Sequence, residues 1–418
     1  MKYLLFICVA TCLPAQELTD RERMLIDRIE NLERRLAVLE KNSGQSTGRD
    51  APARTVAEAS TPIDEPLAPA GDITMGVNLD GYYAYNFNHP AGQVNALRAY
   101  DVSSNSFSLN QATVLLERAA DVSKGRRIGG RLDLMFGQAT ETLQGSSANE
   151  RRPDVYRHVF QAYGTYVAPV GRGLTVNFGK FASSFGIENN YTKDQINYSR
   201  SYWFNFLPYY HMGFQTTYPV TSKLNVSYWL TNGVNQTEDF NGFKSHAVLL
   251  NYNPAPSVSA NLNYFNGQEH RGEMGVAARG RSHFVDGYIT WKTTDRLTLA
   301  AEADYVTSRV EPNSGPQSVS GGAGYMRYRF HPRFSLGGRF AYLRDSGGLF
   351  SGKSQSLKDG TVTANFDVVD GFQMRWEYRR DWSDIHYFVT SAPNTLKSEQ
   401  NTALLGLIWW FGGKRGAW

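Results

Sequence analysis

The sequence predicts an all-β protein: a transmembrane antiparallel β-barrel of about 16 strands, preceded by a short α-helical coiled coil and a disordered linker. Three observations predict this. From residue 72 onward, apolar and polar residues alternate with a period of two in segments of about 9–12 residues. Short turn-like breaks and long polar stretches alternate strictly between these segments. No run of about 20 apolar residues occurs, which excludes a helical membrane protein.

Residues 1–15 have the pattern of a signal peptide, because Lys2 precedes the apolar stretch 3–13 and small residues follow it. That stretch is too short to span a bilayer as a helix. Both cysteines, Cys8 and Cys12, lie within it. Lipidation at Cys12 is disfavoured because a threonine precedes the cysteine. Cleavage would leave no thiol, so a disulfide framework, a cysteine zinc site and a cysteine nucleophile are not expected.

Residues 16–41 are predicted to form an oligomerisation helix. Six apolar residues follow a heptad pattern between charged neighbours: Leu18, Leu25, Ile29, Leu32, Leu36 and Leu39. A narrow heptad stripe favours a parallel coiled coil, and a single amphipathic helix on a surface is the alternative. Residues 42–71 contain four prolines among Ala, Ser, Thr and Gly, which predicts an extended or disordered linker.

Residues 72–418 are predicted to form the barrel domain, with eight hairpins of about 40 residues each. A sheet in a bilayer must close on itself because every backbone polar group needs a partner there. About sixteen strands enclose a water-filled channel. The alternation of apolar and polar residues is interrupted in segments 107–118 and 156–167, which predicts β-bulges there. A large secreted soluble β-protein is the alternative, but it would not explain the alternating loop lengths.

Several segments resemble the putative beta-barrel porin-2 (OmpL-like) family. The resemblance covers roughly residues 75–415 and is carried by these segments: Gly81–Pro90, Asn105–Gln111, Arg131–Gly137, Phe178–Phe181 and Asn197–Ser201. It implies an outer-membrane pore whose substrate is open. The combination of coiled coil and barrel is also similar to phosphate-selective porins, which form trimers.

The strand phase directs thirteen charged side chains into the predicted lumen, because a charge on the lipid face would cost about 2–4 kcal/mol at mid-depth. The basic members are Arg131, Lys180, Arg327, Arg329, Arg339, Arg375 and Arg379. The acidic members are Asp80, Asp133, Glu302, Asp304, Asp367 and Glu377. Charged rings set the ion preference of a pore, so a weakly anion-favouring channel is expected. Alternatively, these groups pair across strands and only fix the wall.

The longest loop, residues 183–208, is the predicted constriction. It carries Glu188, Lys193, Asp194 and Arg200 together with several aromatic residues that can pack it onto the wall. An external cap or a contact between subunits is the alternative position for this loop.

The remaining features exclude several function classes. The net charge of +4, from 43 basic and 39 acidic residues, gives no basic stripe for nucleic acid. No histidine has a spacing that predicts a catalytic serine or a metal as its neighbour, so neither an enzyme nor a metal or cofactor site is expected. We expect a homotrimeric outer-membrane porin of a Gram-negative-type bacterium, surrounded by lipid, that passes small hydrophilic solutes or ions. The alternative is a structural barrel tethered to the cell wall through the coiled coil.

Overall fold

The computed structural model describes residues 73–144, 150, 152–270 and 279–412. The predicted signal peptide (1–15), the coiled coil (16–41) and the linker (42–71) lie outside the described residues. So do all six heptad residues: Leu18, Leu25, Ile29, Leu32, Leu36 and Leu39.

In the described part of the chain, sixteen antiparallel strands close into one barrel, which confirms the predicted fold and strand number. Each strand pairs with its neighbours in sequence, and the first strand pairs with the last. The strands are β1 (Thr74–Asn86), β2 (Ser106–Arg118), β3 (Ile128–Phe136), β4 (Val159–Ala168), β5 (Leu174–Ala182), β6 (Tyr210–Pro219), β7 (Leu224–Thr231), β8 (Ser245–Ala255), β9 (Val258–Gly267), β10 (Ser282–Lys292), β11 (Leu297–Ser308), β12 (Gln317–His331), β13 (Phe334–Ser346), β14 (Gln355–Val369), β15 (Phe372–Ser383) and β18 (Glu399–Gly412).

The period of two in the sequence becomes two distinct faces of the sheet. In β11, Glu302 and Asp304 are buried, whereas the alternate residues Ala303 and Tyr305 are exposed. In β14, Val362 is 56% exposed beside the buried Thr363. Alternating side chains therefore point into the barrel and away from it, and the outer face is largely apolar.

Both predicted irregularities are present as register shifts. Between β1 and β2, Asp80 pairs with Gln111 and Gly81 with Leu109, so Asn110 is the extra residue. Between β3 and β4, Asp133 pairs with Gln161 and Leu134 with Val159. These bulges lie on strands that contact the longest loop.

Most connections at one rim are short turns and most at the other are long segments, as predicted, although the nine-residue connection 119–127 at the short-turn rim is longer than the eight-residue connection 309–316. The long segments contain short helices, which are α1 (Ala139–Gln144), α2 (Pro153–Tyr156), α3 (Tyr202–Phe206) and the 3-10 helices Ala91–Gln93 and Thr192–Asp194. One of them also forms a small hairpin from β16 (Phe388–Val389) and β17 (Leu396–Lys397). Among the described residues, no helix has the length and apolar character needed to cross a membrane.

Candidate functional site: the lumen and its inward loop

The segment between β5 and β6, residues 183–209, runs through the barrel interior and is called the inward loop here. Tyr191 Oη donates a hydrogen bond to Asp133 on β3. The Ile187 amide donates one to Glu302 on β11, at 3.1 Å. Because β3 and β11 lie on opposite sides of the sixteen-stranded barrel, a loop that contacts both must cross the lumen.

Aromatic residues of α3 anchor the second half of the inward loop. The Ser201 hydroxyl accepts a hydrogen bond from the Phe204 amide and so caps the helix start. Trp203 is fully buried, and its Nε1 donates to the Tyr342 carbonyl on β13 at 3.0 Å. Tyr202 Oη donates to Asp381 on β15 at 2.6 Å. Burial of these rings explains why an otherwise polar loop folds inward.

A buried ion-pair network joins the inward loop to the wall. Arg339 contacts Glu188 of the loop at 3.1 Å and Asp359 of β14 at 2.9 Å. Arg379 contacts Asp381 at 2.7 Å, and Arg98 of the first long connection reaches the same carboxylate at 2.7 Å. Arg339 and Arg379 were among the predicted lumen charges, whereas Asp359 and Asp381 were not, although they share the inward phase of their strands.

Two further arginines bind backbone carbonyls of the inward loop. Arg375 donates to the carbonyls of Thr192 and Gln195, both at 3.0 Å. Arg200 donates to the Tyr198 carbonyl at 2.7 Å, and its guanidinium lies over the Tyr100 ring at 4.7 Å from the centroid. Both arginines are only 1% exposed, and both guanidinium groups hold the backbone of the loop.

Most other predicted lumen charges are also engaged. Asp80 accepts from Tyr198 Oη at 2.6 Å, and Glu377 accepts from the Tyr198 amide, also at 2.6 Å. Arg131 makes a two-pronged contact with Asp133. The remaining pairs are Lys193 with Asp194 at 2.6 Å and Asp367 with Gln373 at 2.7 Å.

Arg327 and Arg329 differ from the other lumen arginines. Neither forms an ion pair or a side-chain hydrogen bond with any described residue. Both line a cavity of about 530 Å³ at the short-turn rim of the barrel, together with Lys193, Arg333 and Arg375. Asp367 and Asp370 are the acidic residues in its lining. This cavity, called the basic vestibule here, therefore has an excess of positive charge.

One sector of the inner wall is apolar, although the predicted channel is filled with water. Side chains from neighbouring strands and the inward loop form a buried cluster that includes Phe181, Phe185, Trp203, Trp229, Leu249, Phe265, Phe284, Leu343 and Leu357. The inward loop thus packs against the wall through this apolar cluster as well as through the ion pairs of β13, β14 and β15. Lys180 also lies at the wall, where its Nζ is 3.9 Å from the centre of the Tyr210 ring.

In the folded chain two histidines lie beside serines that are distant in the sequence, so the spacing of residues did not predict these contacts. His211 Nε2 lies 3.2 Å from Ser183 Oγ, and its Nδ1 lies 3.0 Å from the Gly233 carbonyl. His270 Nε2 lies 2.7 Å from Ser308 Oγ. His211 is fully buried among aromatic rings, so this contact fixes the start of the inward loop.

Solved structures with the same fold are porins and outer-membrane channels. The anion-selective porin from Comamonas acidovorans has a TM-score of 0.56 at 9% identity over 81% of this chain and 99% of its own. OmpT of Vibrio cholerae in a trimer form has a TM-score of 0.54 at 9% identity over 81% and 99%. The channel DcaP of Acinetobacter baumannii has a TM-score of 0.53 at 12% identity over 81% and 97%.

At these identities the structures show a shared fold. No curated protein matches the sequence. The family described as "Putative beta-barrel porin-2, OmpL-like" matches residues 72–411, which is nearly the whole barrel domain. The chain therefore belongs to this family of outer-membrane porins.

Proposed function

We propose that the protein is a diffusion porin that passes small hydrophilic solutes or ions and weakly favours anions. Glu188, Lys193, Asp194 and Arg200 belong to the inward loop, which sets the narrowest part of the path. Passage is passive, so the lumen acts through its width and its charge and performs no chemistry on the solute. We further propose a homotrimer, supported by the heptad pattern of residues 16–41 and by the trimer form of the similar OmpT.

The observation that carries the proposed ion preference is the unequal exposure to water of basic and acidic lumen groups that have no ion-pair partner. Arg327 and Arg329 line the basic vestibule without an ion-pair partner among the described residues. The wall carboxylates Glu302 and Asp304, in contrast, are only 6% and 5% exposed. Fixed charges that face water in a narrow pore attract the opposite ion, so the vestibule raises the local anion concentration.

The test is the zero-current potential of single channels in planar bilayers under a KCl gradient. Wild-type protein is expected to favour chloride. The double variant Arg327→Gln, Arg329→Gln should shift the potential toward cation preference. Lys223→Gln removes an exposed charge from a different turn at the same rim, so this control should keep the wild-type potential.

Each other outcome decides against part of the proposal. Potassium preference in wild-type protein would overturn the anion assignment. An unchanged potential in the double variant would show that Arg327 and Arg329 do not set the preference. A flat current trace from folded protein would overturn the pore function and favour the tethering barrel.

A further inference from the structure

Three carboxylates from β10 and β11 converge behind the start of the inward loop. Ligand oxygens of Asp286, Glu302 and Asp304 all lie within 4.8 Å of one another, and all three residues are buried. No ion pair joins any of them to a basic group in the described part of the chain. Three adjacent buried carboxylates cannot all be ionised without a compensating charge, because burial of unpaired charges costs several kcal/mol per ion.

The carboxylate oxygens without a hydrogen-bond donor indicate what compensates the negative charge of this cluster. Asp304 is 5% exposed, and neither of its carboxylate oxygens accepts a hydrogen bond from a described donor. Asp286 Oδ1 is equally without a donor. Buried polar atoms are almost always partnered, so these oxygens point to a ligand that supplies positive charge.

The other oxygens of the cluster are already oriented by neutral donors. Asp286 Oδ2 accepts from Asn263 Nδ2 at 2.5 Å and from the Gly186 amide at 3.2 Å. Glu302 accepts from the Ile187 amide and from Tyr325 Oη, both at 3.1 Å. Such donors fix carboxylates in place for a metal ion.

We propose that Asp286, Glu302 and Asp304 bind one Ca²⁺ ion. Calcium prefers several oxygen ligands and tolerates irregular geometry, and carboxylates supply both the oxygens and the neutralising charge. Ile187, whose amide binds Glu302, also lines a cavity of about 510 Å³. The ion fixes the carboxylates that hold the loop amides, so Ca²⁺ stabilises the position of the inward loop.

Position 186, next to the carboxylate cluster, requires a glycine. Its φ of +79° lies in the left-handed region, and a Cβ there would approach Glu302 Oε1 to 3.2 Å. A side chain at this position would therefore strain the backbone and crowd the carboxylate.

The first test needs no variant. Detergent-purified, full-length protein is equilibrated with Ca²⁺ at neutral pH, washed by gel filtration in metal-free buffer and analysed for metal content. One tightly held Ca²⁺ per chain is expected. Absence of bound Ca²⁺ would overturn the proposal and favour a proton shared between Asp286 and Asp304.

The second test locates the ion. Tb³⁺ emission excited through tyrosine is expected, because Tyr325 contacts Glu302, and Ca²⁺ should compete with it. Asp304→Asn should weaken Ca²⁺ competition at least about tenfold. Glu311→Gln removes an exposed carboxylate from another loop and should leave competition unchanged. Folding of each variant is checked by the mobility of the folded band on an unheated gel. If Ca²⁺ competition weakened equally in both variants, or did not weaken in folded Asp304→Asn protein, the proposed site would be overturned. Both readouts are independent of whether the barrel conducts.

Discussion

Arg339 Nη1 lies 3.1 Å from Glu188 Oε1, which ties a buried arginine of the barrel wall to the inward loop. The same guanidinium contacts Asp359 on the neighbouring strand through Nε at 2.9 Å. It also donates to the Ser199 carbonyl at 2.7 Å, further along the loop. One side chain therefore holds two separate parts of the loop and one strand, so its removal should affect both stability and pore width.

Arg339→Gln is expected to destabilise the barrel and loosen the loop. Removal of one partner from a buried ion pair costs about 3–5 kcal/mol, because the other charge stays buried without compensation. Urea unfolding in lipid vesicles should show this loss. Single-channel traces should become larger in amplitude and noisier as the loop moves from the wall.

Arg344→Gln is the matched control. Arg344 pairs with Asp384 at 3.5 Å, but both side chains are 48% exposed. Exposed pairs contribute about 0–1 kcal/mol, so stability and conductance should stay near wild type. Equal effects of the two substitutions would show that Arg339 does not fix the loop.

Gly337→Ala is expected to displace the inward loop without any change of charge. Its Cβ would lie 2.6 Å from Ile196 Cγ2 and 2.9 Å from the Ile196 carbonyl oxygen. Overpacking of this kind costs about 1–3 kcal/mol. The next residue offers a control, because a Cβ on Gly338 meets nothing closer than 4.0 Å. Only Gly337→Ala should lower the urea midpoint and alter conductance. If Gly338→Ala had the same effect, loss of glycine flexibility would be the cause.

The strand number follows from the sequence because the period of two and the alternating loop lengths are local properties. The inward phase of Arg339 and Arg379 follows for the same reason. Their partners depend on which residues face each other across β13, β14 and β15. Asp359 and Asp381 share that phase and could have been identified by extending it along each strand.

The apolar sector was harder to predict. Leu249 and Phe265 point inward, yet their outward neighbours Val248 and Tyr264 are also apolar, so alternation gives little contrast there. The path of the inward loop depends on contacts between residues more than a hundred positions apart, such as Ile187 with Glu302. No local pattern contains that information.

The loop carboxyl Glu269 is expected to make one group of loops sensitive to pH. Burial raises the pKa of Glu269 to about 7, although the Val234 amide and Ser245 hydroxyl donate to it. The folded chain therefore holds the proton more tightly than the unfolded chain. The stability that protonated Glu269 contributes is present below about pH 4.5 and is lost as the pH rises through 7. The loss is at most about 3 kcal/mol of unfolding free energy.

Hydrogen exchange of residues 232–244 measures this effect. After correction for intrinsic exchange rates, protection should fall between pH 5 and pH 8 (about the window set by the two pKa values). Glu269→Gln stays neutral and should remove the pH dependence, whereas Glu311→Gln should keep it. An unchanged profile in Glu269→Gln would assign the effect to another group.

The depth of the outer face in the bilayer is tested by arginine substitutions on β14. Val362 lies near the middle of the strand and is 56% exposed, whereas Val368 lies near the rim and is 42% exposed. A lipid-facing arginine costs about 2–4 kcal/mol at the bilayer midplane and about 0–1 kcal/mol near the interface. Urea unfolding in vesicles should therefore show a large loss for Val362→Arg and a small one for Val368→Arg. In a bilayer, the free-energy cost of an exposed arginine varies with its depth along the strand. Equal losses of stability at the two positions would therefore mean that this face does not contact the hydrocarbon core.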